Sequence, residues 1–253
     1  MILKSMKADR LSVLVYDTRK EMGKAAGAAA AEAIRAVLAQ REYANVIFAA
    51  APSQNEMLDA LLSEDLDFTR INAFHMDEYI GLSIEDAQSF ARYLTDHLFS
   101  RAPFRSVHLI PAKESVEAAC AAYTDLLTAF PPDVVCMGIG ENGHIAFNDP
   151  PVADFSDPVL IKSVALDEIC RNQQVHDGCF PSLDKVPTHA LTLTVPALLS
   201  AGALICTVPA STKAAAVKAT LCGTYGTHCP ATALRKHPSA QMFLDRDSAS
   251  EVL

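Results

Sequence analysis

Apolar runs alternate with alanine-rich or amphipathic stretches along most of the chain, and each run is followed by a helix signal. Residues 11–16 read as a first strand. Behind them Asp17 can cap a helix running through Lys24 to about Ala39, where the many alanines give high helix propensity. Residues 45–51 form a second apolar strand, ending at Pro52-Ser-Gln-Asn-Glu56, in which Ser53 and Glu56 have the spacing of a capping box opening a helix over 57–62. Residues 70–74 are a third strand, delivering His75-Met-Asp-Glu-Tyr79 into a loop. Further strands are expected at 107–110 and 134–137, and helices at 87–99 and 114–129.

The second half is less regular. Residues 159–165 look extended, 167–178 suit helix or strand, and 189–195 alternate as a strand does. Residues 203–208 are another apolar strand, leading into Pro209-Ala-Ser-Thr-Lys213 and a helix over 214–220, with a last strand at 241–244. Strand alternating with helix predicts an α/β fold, a three-layer αβα, Rossmann-like arrangement with a mainly parallel sheet and helices on both faces. No linker, charge block or repeat interrupts it, so one domain is expected over residues 1–253. The strand ends at 51, 74, 137 and 208 feed loops that carry polar groups, and the carboxyl ends of strands are where such sheets bind ligands.

Composition narrows the function classes. With 50% hydrophobic and 20% charged residues, the chain can bury a large core as a soluble protein. A formal net charge of −9 argues against nucleic acid as partner, though a few local cations and helix N-termini can still hold a phosphate. The 7 scattered cysteines, with no Cys-x-x-Cys pair, fit neither a disulfide framework nor a zinc site and suggest a reducing cytoplasm. No stretch has the length of a membrane span or the apolar core of a signal peptide, so no membrane partner is expected.

The densest chemistry lies in Asp133-Val-Val-Cys-Met-Gly-Ile-Gly-Glu-Asn-Gly-His-Ile-Ala-Phe-Asn-Asp-Pro150. A strand there breaks into three glycines, and Gly140 and Gly143 leave room for a ligand to lie against the backbone. His144 has Asn142 and Asp149 at short range, so one partner can fix its tautomer while the other nitrogen works. A lone loop histidine is ordinarily solvated; the glycines and flanking polar groups favour function here.

Gly-Ile-Gly-Glu-Asn-Gly-His-Ile-Ala-Phe-Asn-Asp-Pro resembles the signature loop of the glucosamine-6-phosphate deaminase (isomerase) family, which usually ends Phe-Asn-Glu-Pro. Phe74-His-Met-Asp-Glu-Tyr-Ile-Gly-Leu82, followed by Ser89-Phe90 and Tyr93, is a second match in the right order. The resemblance implies an enzyme that converts glucosamine 6-phosphate to fructose 6-phosphate and ammonia. By it, Asp77 is the base that moves the carbon 2 proton, while His144, with Asn142 and Asp149, opens the sugar ring. Asp149 replaces a glutamate, and the shorter arm is expected to draw its carboxylate away from His144 or the substrate amine unless the backbone compensates.

The phosphate side departs most from the family. Ser53 and Gln54 stand where relatives carry a Gly/Thr/Ser-rich turn, and a capping role for Glu56 would add negative charge there. Lys213 matches the family's phosphate lysine. A family arginine has no certain counterpart: Gln174 aligns best, and Arg171 lies nearby. His237 resembles a C-terminal motif residue, its role open. Two alternatives stay open, a 6-phosphogluconolactonase-type hydrolase and a non-catalytic sugar-phosphate sensor. No metal site or cofactor fingerprint is evident, and neither is expected; whether the chain forms a homo-oligomer is open.

Overall fold

The computed structural model describes residues 1–176 and 178–253; residue 177, inside the stretch that suited either element, lies outside the described residues. Its main sheet has eight strands: β1 (Ile2–Ala8), β2 (Leu11–Tyr16), β3 (Ala44–Phe48), β4 (Ile71–His75), β6 (Ser106–His108), β7 (Val134–Met137), β10 (Ala203–Val208) and β11 (Ala240–Leu244). Their order is β1-β2-β11-β10-β7-β3-β4-β6, and every pairing is parallel except β1 with β2. A second sheet of three antiparallel strands, β5 (Asp77–Tyr79), β9 (His189–Leu193) and β8 (Ile161–Ala165), stands beside the carboxyl end of β4. The sequence showed neither this β5–β9 pairing nor β1; the segment expected to be a loop at 77–79 is a strand.

Both faces of the main sheet are covered, because successive residues of a strand point to opposite sides. Val46, Phe48, Val134 and Cys136 pack with Met22, Ala26 and Ala30 of α1 (Arg19–Leu38), Met57 and Leu61 of α2 (Asn55–Leu62) and Leu94 of α3 (Phe90–His97). Ile47, Val135 and Met137, one residue out of phase, pack with Tyr123 of α4 (Val116–Ala129), Leu198 of α6 (Val195–Leu199) and Val217 of α7 (Ala214–Cys222). This is the expected three-layer α/β fold. On one face of the small sheet, Tyr79 packs its ring 4.9 Å from Phe90, 5.3 Å from Phe147 and 5.4 Å from Phe180. The stretch of undecided type contains α5 (Glu168–His176).

Two helix starts differ from the sequence reading. Thr18, not Asp17, caps α1, its hydroxyl accepting from Glu21 N at 3.2 Å; Asp17 instead pairs with Arg246. No capping box forms at 53–56, since neither the Pro52–Gln54 turn nor α2 has a side-chain cap. Among the described residues no helix is long and apolar enough to cross a membrane.

Candidate active site

The four strand ends singled out in the sequence meet. The segments after β3, β4, β7 and β10 wall one cleft of about 130 Å³, lined by Ser53, Gln54, Asp77, Gly138, Gly140, His144, Gln174, Thr212 and Lys213 among others.

Beyond β7 the chain turns tightly, with Gly143 N donating to Gly140 O at 3.0 Å and Gly140 N to His144 O at 2.9 Å. Gly143 adopts φ 80°, the left-handed region that glycine tolerates. The turn folds the His144 ring onto Gly140. His144 Nδ1 lies 2.8 Å from Asn142 Oδ1 and 2.9 Å from Asp149 Oδ1, and Asn142 Nδ2 donates to that same carboxylate oxygen at 2.9 Å. Both neighbours of Nδ1 are acceptors, so Nδ1 carries the proton and Nε2 is left to accept one in the neutral ring.

The expected withdrawal of Asp149 does not occur. In the same loop Ala146 turns through φ 49°, and Asn148 Nδ2 clamps the chain by donating to Ile145 O at 2.9 Å and Leu193 O at 2.8 Å. Phe147 N also donates to Thr192 Oγ1 at 3.0 Å, tying the loop to β9. Burial pushes the Asp149 carboxyl up, but hydrogen bonds and charge from His144, with bonds from Asn142 and Cys170, outweigh it and hold the carboxyl below its ordinary value. Asn142 and Asp149 thus sit behind His144 rather than in the cleft wall. Cys170 completes a buried group with His144 and Asp149 whose three potential ligand atoms lie within 4.8 Å, a juxtaposition invisible in the sequence spacing.

Asp77 faces the cleft from β5, opposite Thr192 of β9, and is only 7% exposed. It is neither a helix cap nor a solvated loop residue. Burial, and then the neighbouring Glu78, push its carboxyl well above the ordinary range. Glu78 points to the other side of the strand. Its carboxylate accepts from Tyr79 N at 2.9 Å, Phe90 N at 3.1 Å and Ala91 N at 2.8 Å, holding the start of α3 against β5. Sequence reasoning missed this anchor, whose partners stand 12 and 13 residues away.

Burial raises Glu78 to about 7, the three N–H bonds opposing it. The folded chain therefore holds this proton more tightly than the unfolded chain, where the ordinary value is 4.5. The resulting stability, about 3 kcal/mol, is present below that ordinary value and is lost as pH rises through about 7. Glu78→Gln is expected to flatten the corresponding fall of Tm with pH; a slope unchanged in the variant would locate the proton elsewhere.

At the other pole, Gln54 is fully buried, its Nε2 donating to Ser53 Oγ at 3.0 Å and Thr207 O at 3.1 Å. A Cβ on Gly138 would come within 2.8 Å of that nitrogen and 3.3 Å of Thr207 O, so a side chain there would push the Gln54 amide from its place. Ala210 N donates to both Asp245 oxygens, holding Ala210 at φ 81° and turning the chain so that Lys213, 5% exposed, lines the cleft.

Arg171 does not join this pole. It spends Nη2 on Leu183 O at 2.7 Å and Val186 O at 2.9 Å, bracing α5 against the following turn, because the face of α5 that reaches the cleft is the one carrying Gln173 and Gln174. Arg19, absent from the sequence-based set, lines the cleft instead. His237 has a structural part: Nε2 bonds Ala201 O at 2.8 Å and Nδ1 accepts from Ser239 N at 3.1 Å, leading the chain into β11.

A family model described as glucosamine-6-phosphate isomerases/6-phosphogluconolactonase matches residues 17–243. Glucosamine-6-phosphate deaminases of Bacillus cereus (strain B4264) and Bacillus anthracis (strain A0248) are each 32% identical over 241 residues, covering 95% of this chain and 88% of the relative. Among solved structures, a monomeric glucosamine-6-phosphate deaminase superposes with TM-score 0.86 at 29% identity, covering 97% of this chain and 100% of its own. A 6-phosphogluconolactonase from Thermotoga maritima superposes with TM-score 0.76 at 20% identity over 93% of this chain and 99% of its own, a likeness of fold.

Proposed function

We propose that this chain, which belongs to the glucosamine-6-phosphate isomerase/6-phosphogluconolactonase family, isomerises and deaminates a 2-amino-2-deoxyhexose 6-phosphate, releasing ketose 6-phosphate and ammonia, with glucosamine 6-phosphate as substrate. The observation that carries the reading is that Asp77 and the oriented His144 line one cleft at the carboxyl edge of the sheet. His144 suits ring opening, because Nδ1–H is held by Asn142 and Asp149 and Nε2 can take the proton of the anomeric hydroxyl and return one to the ring oxygen. Asp77 then removes the carbon 2 proton of the open chain, and O1 takes up a proton from the substrate ammonium, giving an enolamine. Return of the proton from Asp77 to carbon 1 turns the enolamine into an iminium at carbon 2, and water adds to that carbon and expels ammonia. Burial favours this transfer, since a carboxylate shielded from water is the stronger base.

The sensor alternative rested on the altered phosphate turn and on the Glu-to-Asp change, and the 2.9 Å His144–Asp149 contact speaks against the second of these grounds. Assays with glucosamine 6-phosphate, galactosamine 6-phosphate and 6-phosphogluconolactone, following ammonia, ketose and acid, test the reading directly. Ammonia and ketose in equal amounts from a hexosamine phosphate is the expected result; acid released from the lactone without ammonia would make the chain a lactonase.

Lys213 supplies the reading's phosphate contact. A charge-assisted bond from a buried ammonium contributes about 1.5–3 kcal/mol, so Lys213→Ala is expected to raise KM for the phosphorylated sugar by roughly 10- to 150-fold. Initial rates over a range of substrate concentration check it, and an unchanged KM would move the phosphate away from Lys213.

A further inference from the structure

The phosphate pole has a second cation that the motif reading did not include. A phosphate dianion in a cleft needs more than one positive partner or a cradle of N–H donors. Among the described residues lining this cleft, permanent positive charge comes from Lys213 and Arg19. Arg171, the nearby candidate, is turned onto backbone carbonyls, and the cleft-facing positions of α5 carry amides.

Arg19 is brought there by helix packing. A Cβ on Gly23 would lie 2.2 Å from Glu56 Cβ, and one on Gly27 would lie 2.6 Å from Ala60 Cβ. These two glycines, one turn apart on α1, let that helix rest directly on α2. The residue one turn before Gly23 is Arg19, which therefore arrives beside Glu56 and the Pro52 carbonyl. Nε donates to Glu56 Oε1 at 2.8 Å and Nη2 to Pro52 O, so one edge of the guanidinium is pinned. The Nη1 amino group at its other end has no hydrogen-bond partner among the described residues. A guanidinium fixed on one edge, with donors left over and its side chain 37% exposed in a cleft wall, is preorganised for an anionic oxygen.

We propose that Arg19 is the second phosphate ligand of the cleft, held in place by Glu56, and that the Arg19/Lys213 pair selects phosphorylated over unphosphorylated hexosamines. The inference rests on the function proposed above for its substrate class, but binding tests it without turnover. Calorimetry with fructose 6-phosphate and with inorganic phosphate, on wild type and on Arg19→Gln, is the experiment. The variant is expected to bind both about 10- to 150-fold more weakly and to show a KM for glucosamine 6-phosphate raised by a similar factor, with kcat changing far less. Rates with unphosphorylated glucosamine should move little. Arg19→Gln leaves Glu56 without its cation, so the double variant Arg19→Gln/Glu56→Gln is measured beside it, with thermal melts showing that both are folded. Phosphate and fructose 6-phosphate affinities within twofold of wild type in the folded variants would overturn the assignment while leaving the deaminase reading intact. Conversely, a wild type that deaminates nothing yet binds fructose 6-phosphate in an Arg19-dependent way would overturn the deaminase reading and keep the phosphate ligand.

Discussion

Asp77→Asn is expected to lower kcat for glucosamine 6-phosphate by about 10²–10⁴-fold, the range that general-base catalysis contributes. The amide keeps the size of the side chain and most of its hydrogen bonding, so substrate affinity should survive. Stability should not fall, because the variant removes an acidic group whose ionised form is penalised by burial beside Glu78. Two readouts separate the steps. Exchange of the carbon 2 hydrogen with solvent deuterium reports proton abstraction, and ammonia release reports imine hydrolysis; the variant should lose both together. The wild type adds a pH signature. A carboxyl pushed well above its ordinary 3.8 starts to lose its base form at a higher pH than an exposed aspartate, so the acid limb of kcat/KM should be displaced upward and should vanish with the residue. Near wild-type turnover in Asp77→Asn would assign the base to another group.

What the sequence disclosed and what it hid divide along one physical line. Central strands buried on both faces read as unbroken apolar runs, and β7 and β10 have the limits expected from their sequences, as does β2, which is buried on one face and half-buried on the other. At the edge of the sheet β1 was missed, because its residues are half-exposed and its charged positions break the pattern. The strand carrying Asp77 is three residues long and polar, and exists because β9 pairs with it from more than a hundred residues away. Local spacing fails wherever a distant partner competes. Ser53 and Glu56 have capping-box spacing, but Arg19 claims the Glu56 carboxylate from α1. Arg171 and Gln174 are three apart on α5, and only the seating of that helix decides which one meets the cleft. The signature loop was legible for the opposite reason, since His144, Asn142 and Asp149 lie within a few residues of one another and their contacts are set by the loop itself. Even there the 2.9 Å contact of Asp149 with His144 and the left-handed turn at Ala146 are features that no residue count reveals.

Gly140→Ala is expected to remove most activity without touching a group that transfers protons. A Cβ at Gly140 would stand 2.1 Å from His144 Cε1 and 2.3 Å from each ring nitrogen, well inside van der Waals contact. The obstacle is steric rather than conformational, since Gly140 is not among the residues with positive φ. The backbone cannot yield easily, because Gly140 N and O are bonded to His144 O and Gly143 N. The ring must therefore move by about an ångström or more. Doing so breaks the Nδ1 contacts to Asn142 and Asp149, and misplacement on that scale can cost on the order of 10²-fold in rate. A double-mutant cycle distinguishes displaced imidazole from general damage to the loop. In a His144→Ala background the ring is gone, the methyl group has room, and Gly140→Ala should cost almost nothing further in kcat. The NMR resonance of the Nδ1 proton, shifted downfield by its carboxylate partner in wild type, should be lost in Gly140→Ala. If the two substitutions instead lower kcat additively, or if Gly140→Ala leaves both rate and resonance unchanged, the ring does not depend on Gly140 and the orientation of His144 has another source.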